Sequence, residues 1–334
     1  LEIGPYSAVG GVSIHIKRLA SLLKELHDFT FIDESPRTKV ETNVFNLRSK
    51  NIPKYLRLLK DADVVHIHTG IWWLRCIHIF LDFLLRKKTV VTIHSLSNLT
   101  NRYSISITQL FLSLTSKTIF VSKEISKKFK IKNEIIMPAF IPPDISEEKN
   151  LPIEILTLLE KNKSKKIIVN NAFKLVLHKE QDLYGLDLLI DVARSIKKDN
   201  KNYKIIFVIA SMEEKLNLYD HYAQIIKDEN LGEEITLIPY PISFVKLMMV
   251  SDLVVRATNT DGDALTVREA LFLNRPIIAS DVTFRPEGTI LFKNRDSQDL
   301  YLKINETLNK YKREPLNPLE INIQVYREMY SSIF

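Results

Sequence analysis

Short apolar runs alternate with longer amphipathic stretches along most of the chain, a rhythm that predicts parallel strands separated by crossover helices. In the first part the apolar runs fall at Val64–His68, Val90–His94 and Ile119–Ser122, and Leu1–Ile3 reads as the tail of a first strand. From Ser13 to Leu26 the residues Ile14, Leu19, Leu22 and Leu23 recur near helical spacing. A second series has strands at Ile167–Asn170, Ile205–Ala210, Ile235–Pro239, Leu253–Arg256 and Pro276–Ser280. Between the series, PAFIPPDISEEKN carries three prolines and a charged run, the mark of a linker. The expected fold class is therefore α/β, with two Rossmann-like domains whose parallel sheets face a central cleft. The first spans 1–143, a linker 144–165, and the second domain 166–316. Open parallel sheets bind ligands beyond the carboxyl ends of their strands, so the residues that follow each strand are where chemistry is sought.

Composition narrows the classes. With 334 residues, 45% apolar and 26% charged, the chain has core enough for two globular domains. Its one cysteine, Cys76, excludes an internal disulfide and a cysteine-built zinc site, and suits a reducing, cytoplasmic setting. No apolar run is long enough to span a bilayer, and the opening LEIGPYS is unlike a signal peptide. The eight glycines cannot be arranged into a dinucleotide fingerprint or a P-loop, and HExxH is absent. A net charge of +7 suits a phosphorylated ligand, an anionic membrane face or nucleic acid. Its lysines are scattered, no nucleic-acid module is spelled out, and no nucleic-acid partner is expected.

The strongest local signal is ATNTDGDALTVREALFLNRPIIASD, Ala257 to Asp281. A strand ends near Arg256, a polar loop follows, and a helix starts between Asp263 and Leu265, with Asp261 or Asp263 placed to cap it. Asn274 can take the left-handed conformation that stops the helix. The unpaired amides at the helix start make a ready phosphate site. Glu269 falls among Ala264, Leu265, Val267, Ala270, Leu271 and Leu273, a helix apolar nearly all round, where a glutamate requires a partner.

This stretch resembles the signature of the family-4 retaining glycosyltransferases, in which Glu, Gly, an aromatic, Gly and Leu are followed by a second Glu eight residues after the first. Here it stands as Asp261, Gly262, Asp263, Ala264, Leu265 and Glu269, departing from the pattern with Asp for the first Glu and Ala for the second Gly. GPYSAVGGVSIHIKRLA resembles the family's first-strand loop, with Gly10 and Gly11 letting the backbone approach donor and acceptor. DADVVHIH, TVVTIHS, IFVSKEISKKF and IMPAFIPP follow in the family's order, so the likeness covers nearly the whole chain. It implies the two-Rossmann GT-B architecture, an acceptor-binding first domain, a donor-binding second one, and a helix at 317–334 returning to the first. It also implies that Asp261 and His94 approach the donor sugar, that Gly262, Asp263, Ala264 and Leu265 surround the diphosphate, and that Glu269 holds the ribose. The family's diphosphate-binding Arg and Lys would be Lys174 and Lys179 in AFKLVLHKEQDLYGLDLLIDV, with the following Gly displaced to Gly185; His178 is a further candidate.

The activity so implied is retaining, metal-independent hexosyl transfer from a nucleotide-sugar, UDP-linked, to a glycan or lipid-linked acceptor of bacterial capsule or lipopolysaccharide. Asp261-Gly262-Asp263 also spells a metal-binding Asp-x-Asp, but the sugar contact is the favoured reading, and no cofactor or metal is expected. His66 and His68 share a strand face at a spacing that can chelate zinc, with no third ligand evident in the sequence. IWWLRCIHIFLDFLLRKK, Ile71 to Lys88, reads as a buried helix, or else as a surface that docks peripherally on an anionic membrane. The alternatives are a nucleotide-sugar epimerase of the same architecture and a basic nucleic-acid-binding protein.

Overall fold

The computed structural model describes residues 1–8, 10–36, 41–96, 99, 101–213, 217–311 and 323–333, the last without the side chains of 323–325. The chain divides into two compact units, Leu1–Pro142 with Asn322–Phe334, and Pro143–Ile321. The expected terminal helix begins at 317, outside the described residues; a helix is present at Ile323–Ser331.

The first unit holds a parallel sheet of β1 (Glu2–Gly4), β2 (Phe31–Asp33), β3 (Val44–Asn46), β4 (Val64–Ile67), β5 (Lys88–Ile93), β6 (Lys117–Phe120) and β7 (Glu134–Ile136) in the order β3-β2-β1-β4-β5-β6-β7. Its helices are α1 (Gly11–Leu23), α2 (Ile52–Asp61), α3 (Trp72–Leu84), α4 (Arg102–Leu112) and the short α5 (Lys123–Ser126). Side chains such as Ile3, Ile32, Ile67, Val91 and Phe120 are wholly buried between sheet and helices, which is why the strands read as short, mainly apolar runs.

In the second unit α6 (Ile153–Lys161) lies within the stretch read as a linker and buries Ile155. The sheet comprises β8 (Lys166–Ala172), β11 (Tyr203–Ile209), β12 (Ile235–Ile238), β13 (Leu253–Arg256), β14 (Ile277–Ser280) and β15 (Ile290–Phe292), with a separate hairpin of β9 (Leu177–His178) and β10 (Gln181–Asp182). Helices α7 (Leu186–Lys198), α8 (Leu218–Asp228), α9 (Phe244–Met249), α10 (Leu265–Phe272) and α11 (Ser297–Lys310) complete the unit, and Ile323–Ser331 is α12. Strand order β12-β11-β8-β13-β14-β15 repeats that of the first six strands of the other sheet. Each sheet thus reverses its winding beside its first strand, between β1 and β4 and between β8 and β13, and crevices for ligands open at such points.

Among the described residues no helix is long and apolar enough to cross a membrane. Helix α3 is turned in an unexpected way. It buries Arg75, His78 and Asp82 and exposes Trp73, Ile77, Phe80, Phe83 and Leu84. The polar residues have partners inside: Arg75 Nε and Nη2 donate to the Thr69 carbonyl at 3.0 and 2.6 Å, and His78 meets the Tyr55 hydroxyl at 2.7 Å. Burial pushes Asp82 up to about 7, so near neutral pH its carboxyl is partly protonated.

Candidate functional site

In the second unit the switch point is built by a glycine. Gly185, in the left-handed conformation at φ 74°, precedes α7, and a Cβ there would stand 2.3 Å from the Ala257 carbonyl oxygen. Only glycine lets the start of α7 close on the end of β13. The insertion before it is the β9–β10 hairpin, turning at Lys179 and Glu180 with φ of 50° and 62°. Asn259 ties hairpin and signature loop together: its side chain donates to the His178 carbonyl at 3.2 Å, and its backbone N–H to the Leu183 carbonyl at 3.1 Å. Lys174 is half-buried on the approach to the hairpin, while Lys179 is exposed at its tip.

The signature loop leads from β13 into α10, whose N-cap is Ala264 with no side-chain cap. Asp261 and Asp263 do not cap it, contrary to the sequence expectation, because arginines hold both. Asp261 takes Arg256 Nε at 3.0 Å, Arg285 Nη1 at 2.9 Å and the Thr258 hydroxyl at 3.0 Å; Asp263 takes Arg268 Nε at 2.6 Å. Burial alone would raise the Asp261 carboxyl, but the guanidinium of Arg256, with that of Arg285, holds it below its ordinary value. One carboxylate against two guanidiniums leaves a net positive charge beside a helix start with free amides, an arrangement that attracts anions. The Asp-x-Asp pair is committed to separate arginines. Glu269 is buried within α10, and Thr266 in the first turn reaches Asn171 of β8 at 3.2 Å, fastening the helix start across the switch point.

Arg285 was missed in the sequence. Its side chain is 1% exposed and also donates to the Ser280 carbonyl at 3.1 Å, so it threads the floor of the loop from beyond β14. The only signal was a basic residue following a strand, a weak one.

In the first unit Gly10 and Gly11 stand exposed at the start of α1, Gly10 at φ 154°, a backbone state that needs glycine. His94, half-buried just past β5, joins a buried histidine cluster. Its Nε2 lies 3.0 Å from His68 Nδ1; His68 Nε2 lies 2.8 Å from Glu2, and His66 Nδ1 3.2 Å from the same Glu2 oxygen. Burial works against the Glu2 charge, but His66 and His68 outweigh it and hold the carboxyl well below its ordinary range. An ionised Glu2 accepts from His68 Nε2–H, which leaves His68 Nδ1 bare to accept from His94 Nε2–H. Burial depresses His68 to about 4 and His15 to about 3, and drives His94 down as well, so these rings are neutral at pH 7.

Two parallel sheets with a shared winding, each carrying a glycine-opened loop at its switch point, are the architecture of the GT-B glycosyltransferases, and solved structures confirm the match. The chain overlaps a glycosyltransferase from Rickettsia africae ESF-5 with a TM-score of 0.71 over 99% of this chain and 97% of that one, at 15% identity. It overlaps Anabaena HepE in complex with UDP with a TM-score of 0.69 over 99% and 96%, at 14% identity. Residues 9–131, within the first unit, match the model of Glycosyltransferase Family 4. A curated relative, the poly(ribitol-phosphate) alpha-N-acetylglucosaminyltransferase of Staphylococcus aureus (strain COL), is 31% identical over 125 residues, 37% of this chain and 23% of the relative. The chain therefore aligns with under a quarter of that protein's length.

Proposed function

We propose that this chain is a retaining glycosyltransferase that moves a hexose from a UDP-sugar to a glycan or lipid-linked acceptor of a bacterial surface polysaccharide, capsule or lipopolysaccharide, without a metal at the diphosphate. The observation that carries the reading is the uncapped start of α10 beside the surplus positive charge of Arg256 and Arg285. When the bond between the anomeric carbon and the phosphate oxygen breaks, negative charge gathers on the departing UDP and positive charge on the sugar ring. The amides around Ala264 and Leu265, with Lys174 and Lys179, stabilise the first. Gly262 and Asp263 shape the loop around the diphosphate, and Glu269 holds the ribose. His94 and Asp261 attend the sugar, Asp261 through the polar wall it forms with its arginines. The acceptor hydroxyl then attacks on the face the UDP leaves, with Gly10 and Gly11 letting the backbone come close. The Staphylococcus relative is named for sugar transfer to a phosphate-linked polymer, poly(ribitol-phosphate), which supports a polymeric acceptor.

The reading includes peripheral contact with the cytoplasmic membrane face. Supporting it is the exposed row Trp73, Ile77, Phe80 and Leu84 on α3, followed in sequence by the exposed Arg86 and Lys88, an apolar face followed by basic groups of the kind that suits anionic lipid.

Calorimetric titration of UDP, GDP and ADP, with and without magnesium, tests the donor site. Selective, magnesium-independent binding of UDP, weakened in Glu269→Ala and Lys174→Ala, is expected; binding of none of the three would overturn the reading. Incubation with UDP-sugars and no acceptor should leave the sugar unisomerised, whereas conversion would make the protein an epimerase.

A further inference from the structure

The structure replaces the His66–His68 pair with a different set, in which His68 is joined by His15 and His94. One nitrogen from each of His15, His68 and His94 lies within 4.8 Å of those of the other two. Their ring centres are 5.3 Å apart for His15 and His68, 5.0 Å for His15 and His94, and 5.3 Å for His68 and His94. Three imidazoles bound tetrahedrally at about 2.0–2.1 Å would place their ring centres roughly 5 Å apart. The rings come from α1, the end of β4 and the end of β5, so the strand order gathers what the sequence scatters.

The lone pairs point the same way. His15 is 2% exposed; its Nδ1 lies 2.7 Å from the Ala139 carbonyl oxygen and donates there, leaving Nε2 bare. That Nε2 is buried with no hydrogen-bond partner among the described residues. Glu2 fixes His68 with its proton on Nε2, so Nδ1 is bare as well. A carbonyl behind one ring and a carboxylate behind another are the outer partners that metal-bound histidines commonly have.

We infer that His15 Nε2, His68 Nδ1 and His94 Nε2 form a binding site for a divalent ion of the zinc class, with Glu2 and the Ala139 carbonyl orienting its ligands. Binding needs no net proton release, since His94 carries its proton on Nδ1 once Nε2 takes the ion. Three nitrogen ligands leave a fourth position for water or a substrate oxygen. The groups all belong to the first unit; His94 is shared with the proposed transfer, where it attends the sugar, but the ion site rests on the geometry of the three rings and has no part in the diphosphate chemistry.

The test uses the full chain stripped with a chelator, titrated with zinc by calorimetry and with cobalt(II) by visible absorption. Expected are one equivalent of zinc, an intense tetrahedral cobalt spectrum, and affinity at least tenfold weaker in His15→Gln and His68→Ala. Glu2→Gln should weaken binding tenfold or more, and His221→Ala, exposed on α8, should leave it unchanged. No stoichiometric binding by the wild type overturns the inference, as does binding indifferent to His15→Gln, which would leave a water in the cluster. Tryptophan fluorescence from α3 of the first unit checks the fold of the variants, and UDP titration keeps failure of this site distinct from failure of the donor site.

Discussion

The two switch points are equivalent in topology and opposite in electrostatics. Between β1 and β4 the buried groups are imidazoles around one carboxylate, His15, His68 and His94 being held neutral by burial. Between β8 and β13 the carboxylate of Asp261 meets two guanidiniums that stay charged at any working pH. The same crossover geometry therefore carries a reservoir of nitrogen lone pairs in one unit and a fixed positive charge in the other. Lone pairs suit a soft cation or a hydroxyl proton, and fixed charge suits a diphosphate. Topology sets where the polar groups gather, and residue type sets what they can hold.

The contrast can be broken most severely at Arg285. Arg285→Ala removes one of the two guanidinium partners of Asp261, strands the Ser280 carbonyl and empties a buried side-chain volume, and should cost about 3–5 kcal/mol of stability, read by chemical denaturation. Gly185→Ala comes next. A left-handed alanine costs about 1–2 kcal/mol and the contact with the Ala257 carbonyl about 1–3 more, so the thermal midpoint should fall by several degrees.

Acid should separate the units. A histidine whose folded pKa lies below its unfolded 6.5 binds fewer protons folded than unfolded, so its contribution is full above pH 6.5 and fades as pH falls toward the folded value. For His68 that window runs from 6.5 down to about 4, and for His15 down to about 3. A tenfold difference in proton affinity between the folded and unfolded chain corresponds to about 1.4 kcal/mol. The Asp261 contribution, with its pKa depressed from 3.8, fades only below that pH. Both tryptophans, Trp72 and Trp73, lie on α3 of the first unit, so in chelator-treated protein their fluorescence should report acid unfolding at a higher pH than the loss of UDP binding. Coincident transitions would erase the contrast.

Lys174→Ala should weaken UDP binding about tenfold, as expected for one charge-assisted hydrogen bond, and Lys179→Ala about threefold or less because its ammonium is solvated at the hairpin tip. The smallest effect on stability belongs to Trp73→Ser, within about 0.5 kcal/mol, as for an exposed site. The same substitution should lower partition onto anionic vesicles, measured by sedimentation; unchanged partition would remove α3 from the membrane-facing reading.

Much of this was legible from residue order alone. The positions of β1, β4–β6, β8 and β11–β14, the helix stop at Asn274 with φ 50°, and the displaced glycine ahead of α7 follow from patterns within a few residues, because apolar periodicity and backbone preference act locally, whereas the short strands β2, β3, β7 and β15 and the β9–β10 hairpin carry too few apolar positions to be read. Other features were decided only in three dimensions. His15 meets His68 and His94, Arg285 reaches back to Asp261, and α3 turns its polar side inward onto Thr69, Tyr55 and Glu34. In the sequence α3 is apolar almost all round, so periodicity could not say which side faces the sheet; the buried partners of Arg75 and His78 did. The histidine cluster depends on β1 pairing with β4 and β4 with β5, and strand order is set by the packing of the whole unit rather than by any window of sequence.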